Sequence, residues 1–132
     1  MTTNAPTHTT SKAMLWTGRV ISAIPVLMMG GMGTVIFFTS PNMVIDGMTK
    51  YGYPAYIARP LLVVVIACAL LYAIPQTAVL GAILLTGYLG GAVATHVRAA
   101  EPFWLPVLFG VLVWLGLFLR DARIRGLVPW RR

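Results

Sequence analysis

The chain has 132 residues, 58% of them hydrophobic and 10% charged, whereas an average soluble domain carries roughly 25% charge. A small water-soluble fold needs polar residues over most of its surface, and too few are present; the high apolar content equally excludes a disordered chain. The basic residues outnumber the acidic ones by 10 to 3, but five of the ten fall in the last 13 positions, the pattern of a juxtamembrane tail facing anionic lipid, so nucleic-acid binding is not expected and a single integral membrane unit is.

In chain order, residues 1–12 are polar and threonine-rich and read as a cytoplasmic tail. The apolar stretch after Lys12 is interrupted by Arg19 and runs on to Phe38. No small-x-small site closes it, so it reads as an uncleaved first span over about 14–38 rather than a signal peptide. Residues 39–53 carry Ser40, Pro41, Asn42, Asp46, Gly47, Lys50 and Gly52 and form the first loop, in which MVIDGM is expected to make a short interfacial helix.

From Pro60 to Thr95 no residue is charged. One helix of that length, about 36 residues, would be about 54 Å long, against a hydrocarbon core of about 30 Å. The run must fold back, and its only break is Ile74-Pro75-Gln76-Thr77. Spans of about 54–74 and 77–96 result, with Pro60 expected to kink the first. A short loop precedes a fourth span of about 103–119, with Pro102 and Pro106 near its start. In lipid, segments of this kind must be helices, since four cannot close a barrel. The predicted fold is an all-α bundle of four transmembrane helices, up-down-up-down, within a membrane domain of 13–120. A basic cytoplasmic tail, 121–132, completes the chain. Lys12 and the five C-terminal arginines outweigh Lys50 and Arg98, which places both termini in the cytoplasm. Arg120, Arg123, Arg125, Arg131 and Arg132 are expected to meet anionic lipid headgroups.

Few ionisable residues remain outside the tails, and those drawn into a span are functional candidates by default. Arg59 lies about one turn into the second span; either it snorkels to the outer interface or it turns inward to pair with Glu101 or Asp46. Arg19 is read as snorkelling at the inner end. His96 ends the third span on one face with Ala92 and Tyr88, at steps of four residues. It caps the helix electrostatically, or serves a ligand or a proton together with Tyr88. A bis-imidazole haem would need a second membrane histidine, and His8 is in the tail. The lone cysteine, Cys68, makes no disulfide and no metal site, and no metal is expected. Arg59, Tyr88, His96 and Glu101 are therefore the candidate ligand-binding group at the outer end. Gly87 and Gly91 form a GxxxG pair, Gly90 and Ala94 a second small pair, and Gly81 extends them; this stripe is expected to pack the third span closely against a neighbour. Trp16, Trp104, Trp130, Tyr51, Tyr53 and Tyr56 fall at span ends and read as the aromatic belt.

The stretch from Leu80 to Pro102, with its core GYLGGAVATHVR, resembles the DoxX-like family of small bacterial four-helix membrane proteins. Tyr51-Gly52-Tyr53-Pro54, the Ile74-Pro75 turn and the ending LFLRDARIRGLVPWRR support the resemblance, which covers about 14–132. It implies four spans, both termini inside, and the bacterial plasma (inner) membrane. Some relatives are subunits of membrane oxidoreductases, including thiosulfate:quinone oxidoreductase, and others are linked to oxidative-stress complexes. Relatives often carry a Ser-Gly…Lys pattern at the outer end of the first span, where this chain reads GGMGTVIFFTSP without lysine. The expected function is a membrane subunit, or a binder of a small lipophilic ligand such as a quinone, associated with a redox system and without a resident cofactor. The alternatives are a membrane enzyme that uses the outer-end polar cluster on a lipophilic substrate, and a small transporter that works as a homo-oligomer.

Overall fold

The computed structural model describes residues 10–128, which are helical throughout apart from caps and turns. Trp130, Arg131 and Arg132 lie outside the described residues, as does His8. Ser11 caps the first helix by accepting the Met14 amide at 3.2 Å, the usual N-cap arrangement. Helix α1 (Lys12–Pro25) continues through a π-helical segment (Val26–Gly31) into α2 (Met32–Thr39). Pro25 has no amide to give and its ring crowds the preceding turn, so the hydrogen-bond register widens there. Helix α3 (Pro41–Lys50) starts on a proline, where the missing amide is not needed.

Gly52 then reverses the chain at φ 81°, a conformation glycine adopts freely. A single 3₁₀ turn (Ala55–Ile57) leads into α4 (Ala58–Ala73), and a tight turn joins it to α5 (Ala78–Arg98). Thr77 Oγ1 closes that turn by donating to the Leu71 carbonyl at 2.7 Å. Helix α6 (Trp104–Arg120) and the short α7 (Ala122–Leu127) follow, with Asp121 capping α7.

Among the described residues three helices are long and apolar enough to cross a membrane: the continuous rod Lys12–Thr39, Ala55–Ala73 and Ala78–Arg98. Trp104–Arg120 is apolar but shorter, at 17 residues. Many large apolar side chains point outward, among them Val20, Leu27, Val63, Leu70, Ile83 and Val111. Such a surface belongs in hydrocarbon rather than in water.

The core is a small apolar cluster in which Tyr72, Leu85, Val113 and Leu117 are fully enclosed. Close contact between α1 and α6 rests on two glycines that belong to no small-residue pattern in the sequence. A methyl group on Gly18 would sit 2.8 Å from the Arg120 amide nitrogen, and one on Gly116 would sit 2.9 Å from that of Ser22. These two residues let α1 and α6 touch backbone to backbone, as small residues do between membrane helices. Gly81 does the same for α5 against α4, where an added methyl would land on the Tyr72 and Leu71 backbone.

The expected packing stripe departs from this geometry. At Gly87, Gly90 and Gly91 an added methyl would meet nothing within 4 Å, and Ala94 is exposed. Helices α4 and α5 touch near their connecting turn and splay apart from it, so only Gly81, nearest the turn, lies at an interhelical contact.

Candidate functional site

The splay between α4 and α5 opens a cavity of about 430 Å³. Its floor is α5, where Gly87, Gly91 and Ala92 present almost bare backbone. Leu61 of α4 forms one wall. Met48, Tyr51 and Tyr53, from the end of α3 and the turn after it, form the cover. Tyr88, Thr95 and His96 supply the remaining polar lining. The empty space above Gly87 and Gly91 is what their missing side chains leave.

The cover is tied to α5 and to the α5–α6 loop by named bonds. Glu101 Oε1 lies 2.7 Å from Lys50 Nζ, and its Oε2 accepts from the Tyr51 hydroxyl at 2.6 Å. Arg98 Nη2 donates to the Tyr51 carbonyl at 3.4 Å. Tyr53 Oη and Thr95 Oγ1 are 2.7 Å apart. Thr95 has one hydroxyl proton, and it goes to the Gly91 carbonyl at 2.9 Å, so Tyr53 is the donor of that pair. The Lys50 ammonium, and then the Tyr51 hydroxyl, hold the Glu101 carboxyl below the usual carboxylate range. In turn Glu101 pushes Lys50 and Tyr51 up from their ordinary values.

His96 is half-buried, its ring 5.5 Å from that of Tyr51. Its Nδ1 lies 2.7 Å from the Ala92 carbonyl oxygen, one turn back on α5. A carbonyl only accepts, so Nδ1 carries a proton, and it is the neutral form of this ring that has its lone pair on Nε2. The Tyr88 hydroxyl makes no hydrogen bond among the described residues.

The four predicted ligand residues therefore separate. Tyr88 and His96 line the cavity together. Glu101 stands behind the cover and is held by Lys50 and Tyr51. Arg59 is exposed on α4 and pairs with neither Glu101 nor Asp46; Lys50, at the end of α3, reaches Glu101 first. Sequence reading misses Tyr51, Tyr53 and Thr95. The two tyrosines have the spacing of a membrane-interface belt, and Thr95, four residues from Gly91, is the one sequence signal of a polar edge beside the glycines.

At the other end of the bundle the arginines expected to meet headgroups are partly engaged by the protein itself. Arg120 Nη2 donates to the Tyr72 carbonyl at 2.8 Å, and the guanidinium lies 4.6 Å from the Tyr72 ring centroid. Arg125 caps α6 by donating to the Phe118 and Leu119 carbonyls, at 3.0 and 2.9 Å, and reaches Thr10 Oγ1. The C-terminal carbonyls of a helix attract a cation in this way. Arg123 has an exposed side chain. Among the described residues no three His, Cys, Asp or Glu side chains stand close enough to hold a metal ion.

A protein-family model described as the DoxX-like family matches residues 20–116. No curated protein and no solved structure matches the chain.

Proposed function

The chain belongs to the DoxX-like family, and on that premise we propose that it is a multi-pass protein of the bacterial plasma membrane that binds a small lipophilic molecule at the outer end of its bundle. Four helices cross, up-down-up-down, with both termini in the cytoplasm. The shortest, Trp104–Arg120, has 17 residues and a length of about 26 Å, close to the ~30 Å hydrocarbon core. The basic C-terminal region supports the orientation. In this reading the chain is the ligand-holding subunit of a membrane redox assembly, with a quinone among the molecules it can hold.

One observation carries the reading: the cavity on Gly87 and Gly91, lined also by Tyr88 and His96, whose hydroxyl and Nε2 have no hydrogen-bond partner among the described residues. Ligand sites have this form, mostly apolar with a few placed polar groups. The test is to purify the chain in mild detergent, extract it, and identify lipophiles by mass spectrometry. Parent protein should carry one in near-stoichiometric amount. Gly91→Leu, which fills the floor, should lose it while keeping a helical circular-dichroism spectrum. Equal recovery from both proteins would refute the assignment. A redox protein that copurifies with the parent would support the subunit role.

A further inference from the structure

The cavity's free polar groups narrow the ligand further than its shape does, an inference that rests on the ligand-binding reading. The lining holds no Lys, Arg, Asp or Glu: Lys50, Glu101, Arg98 and Arg59 all stand outside it. A charged ligand would be left without a counter-ion in a low-dielectric site, so the ligand is neutral. The floor at Gly87 and Gly91 is flat backbone, and the rings of Tyr51, Tyr53, Tyr88 and His96 stand around it. A planar ring fits such a slot, where ring faces and edges can meet it favourably.

The protons at the rim are already committed. Tyr51 gives its proton to Glu101, Tyr53 gives its proton to Thr95, and Thr95 gives its own to the Gly91 carbonyl. His96 gives Nδ1–H to Ala92. What remains around His96 is a set of acceptors: the Nε2 lone pair and the phenolic oxygens of Tyr51 and Tyr53. The one uncommitted hydroxyl donor in the lining is Tyr88, two helical turns away, about 12 Å along α5. A ligand with only carbonyl oxygens would leave the rim acceptors facing acceptors. A ligand with a hydroxyl would satisfy them.

We infer that the cavity selects a neutral, planar lipophile bearing an aromatic hydroxyl, the phenol or hydroquinone class, which donates its proton to Nε2 of His96. The oxidised, carbonyl-only counterpart binds more weakly. Where the ligand is a redox couple, the site therefore favours the reduced partner.

The test uses 1-naphthol, its methyl ether and 1,4-naphthoquinone, three probes of similar size that differ in hydrogen-bond polarity. Equilibrium dialysis compares nanodiscs holding the full chain with empty nanodiscs, so that simple partition into lipid subtracts out. We expect saturable binding of 1-naphthol, tighter than the ether and the quinone by about five- to tenfold, the scale of one net hydrogen bond. His96→Phe should bring naphthol down to the ether's affinity and leave the ether unchanged. Gly91→Leu should remove all three. Equal affinities for the three probes, or a quinone that binds best, would overturn the selectivity and leave the cavity as a ligand site. The same holds if His96→Phe keeps the preference for naphthol. No saturable excess for any probe would remove the cavity reading and this inference with it. The parent chain's order of affinities decides the question even if the His96 variant does not fold.

Discussion

Gly81 and Gly91 lie on the same helix, both glycines of a small-residue pattern, yet the structure gives them opposite sensitivities. At Gly81 an added methyl falls on the backbone of Tyr72 and Leu71. Backbone next to a tight turn cannot rotate away as a side chain can, so α4 and α5 must separate. Overpacking of this kind costs up to about 3 kcal/mol. Replacing glycine by alanine within a helix returns about 1 kcal/mol. The net for Gly81→Ala is a loss of about 2 kcal/mol. At Gly91 an added methyl meets nothing within 4 Å. Only the favourable helix term remains, so Gly91→Ala should be neutral or up to about 1 kcal/mol more stable. The two variants should differ by about 2–3 kcal/mol.

Cys68 supplies the assay. It is the only cysteine and is buried in the core cluster, so its reaction with a fluorogenic maleimide in detergent reports opening of the bundle. The temperature at which labelling becomes fast should fall by several degrees for Gly81→Ala and hold or rise for Gly91→Ala. If Gly91→Ala were the more damaging change, α5 would have to meet a neighbour along its C-terminal half, such as a second copy of the chain. The splay that creates the cavity would then be wrong. Equal behaviour of the two variants would refute the backbone contact at Gly81.

Three further outcomes are expected. Tyr72→Phe removes the hydroxyl that donates to the Val113 carbonyl and lies 2.9 Å from Ser22 Oγ; leaving those groups buried and unpaired should cost about 1–3 kcal/mol by the same labelling assay, and Ser22→Ala added to it should cost less than the sum of the two singles. The tie that Lys50 and Tyr51 make to Glu101 should hold over a pH window: its contribution is in place above the ordinary carboxylate value of 4.5 and is lost as pH falls through the lowered value of Glu101, and at the alkaline side it is in place below the ordinary lysine value of 10.5 and is lost as pH rises through the raised value of Lys50. Nitroxide labels at Asn42 and Ala99, on a Cys68→Ser background, should show one narrow distance inside that window and a broad one at its acid edge, with Glu101→Gln broad throughout; a distribution unchanged by pH or by Glu101→Gln would refute the tie. A reporter fused after Arg132 and one inserted near Asn42 should report opposite sides of the membrane, and the same side for both would sink the four-crossing topology.

The turn at Ile74-Pro75-Gln76-Thr77 is legible in sequence because the uncharged run from Pro60 to Thr95 is too long for one crossing and has no other break. The pairing of His96 with Tyr88 is legible for a similar reason: steps of four residues put them on one helix face, and the cavity holds both. The partner of Glu101 is not legible. Arg59 and Lys50 are both basic residues near the same end of the bundle, and the choice depends on where the end of α3 comes to rest, which Gly52 decides by reversing the chain at φ 81°. The π-helical segment is equally hidden, since Pro25 alone allows a kink, a break or a widened register. The interhelical contact of Gly18 with the end of α6 has no pattern to announce it, because in each helix it needs a single small residue, Gly18 or Gly116, rather than a repeat.

A glycine on a membrane helix has two physical uses, and spacing does not separate them. It lets another backbone come close, or it leaves room where none comes. The first is driven by van der Waals contact between helices, and the second holds only if something prevents the neighbour from collapsing into the gap. Here the restraint is the tied cover: Lys50, Tyr51 and Tyr53 are fixed to Glu101 and Thr95, and the α4–α5 turn is held by Thr77 at the opposite end. With both ends fixed, α4 cannot close onto Gly87 and Gly91 without breaking those bonds. A small-xxx-small pattern that ends in Thr and His and faces a tyrosine-bearing loop thus differs in kind from one flanked by leucines, because its polar edge gives the gap a boundary.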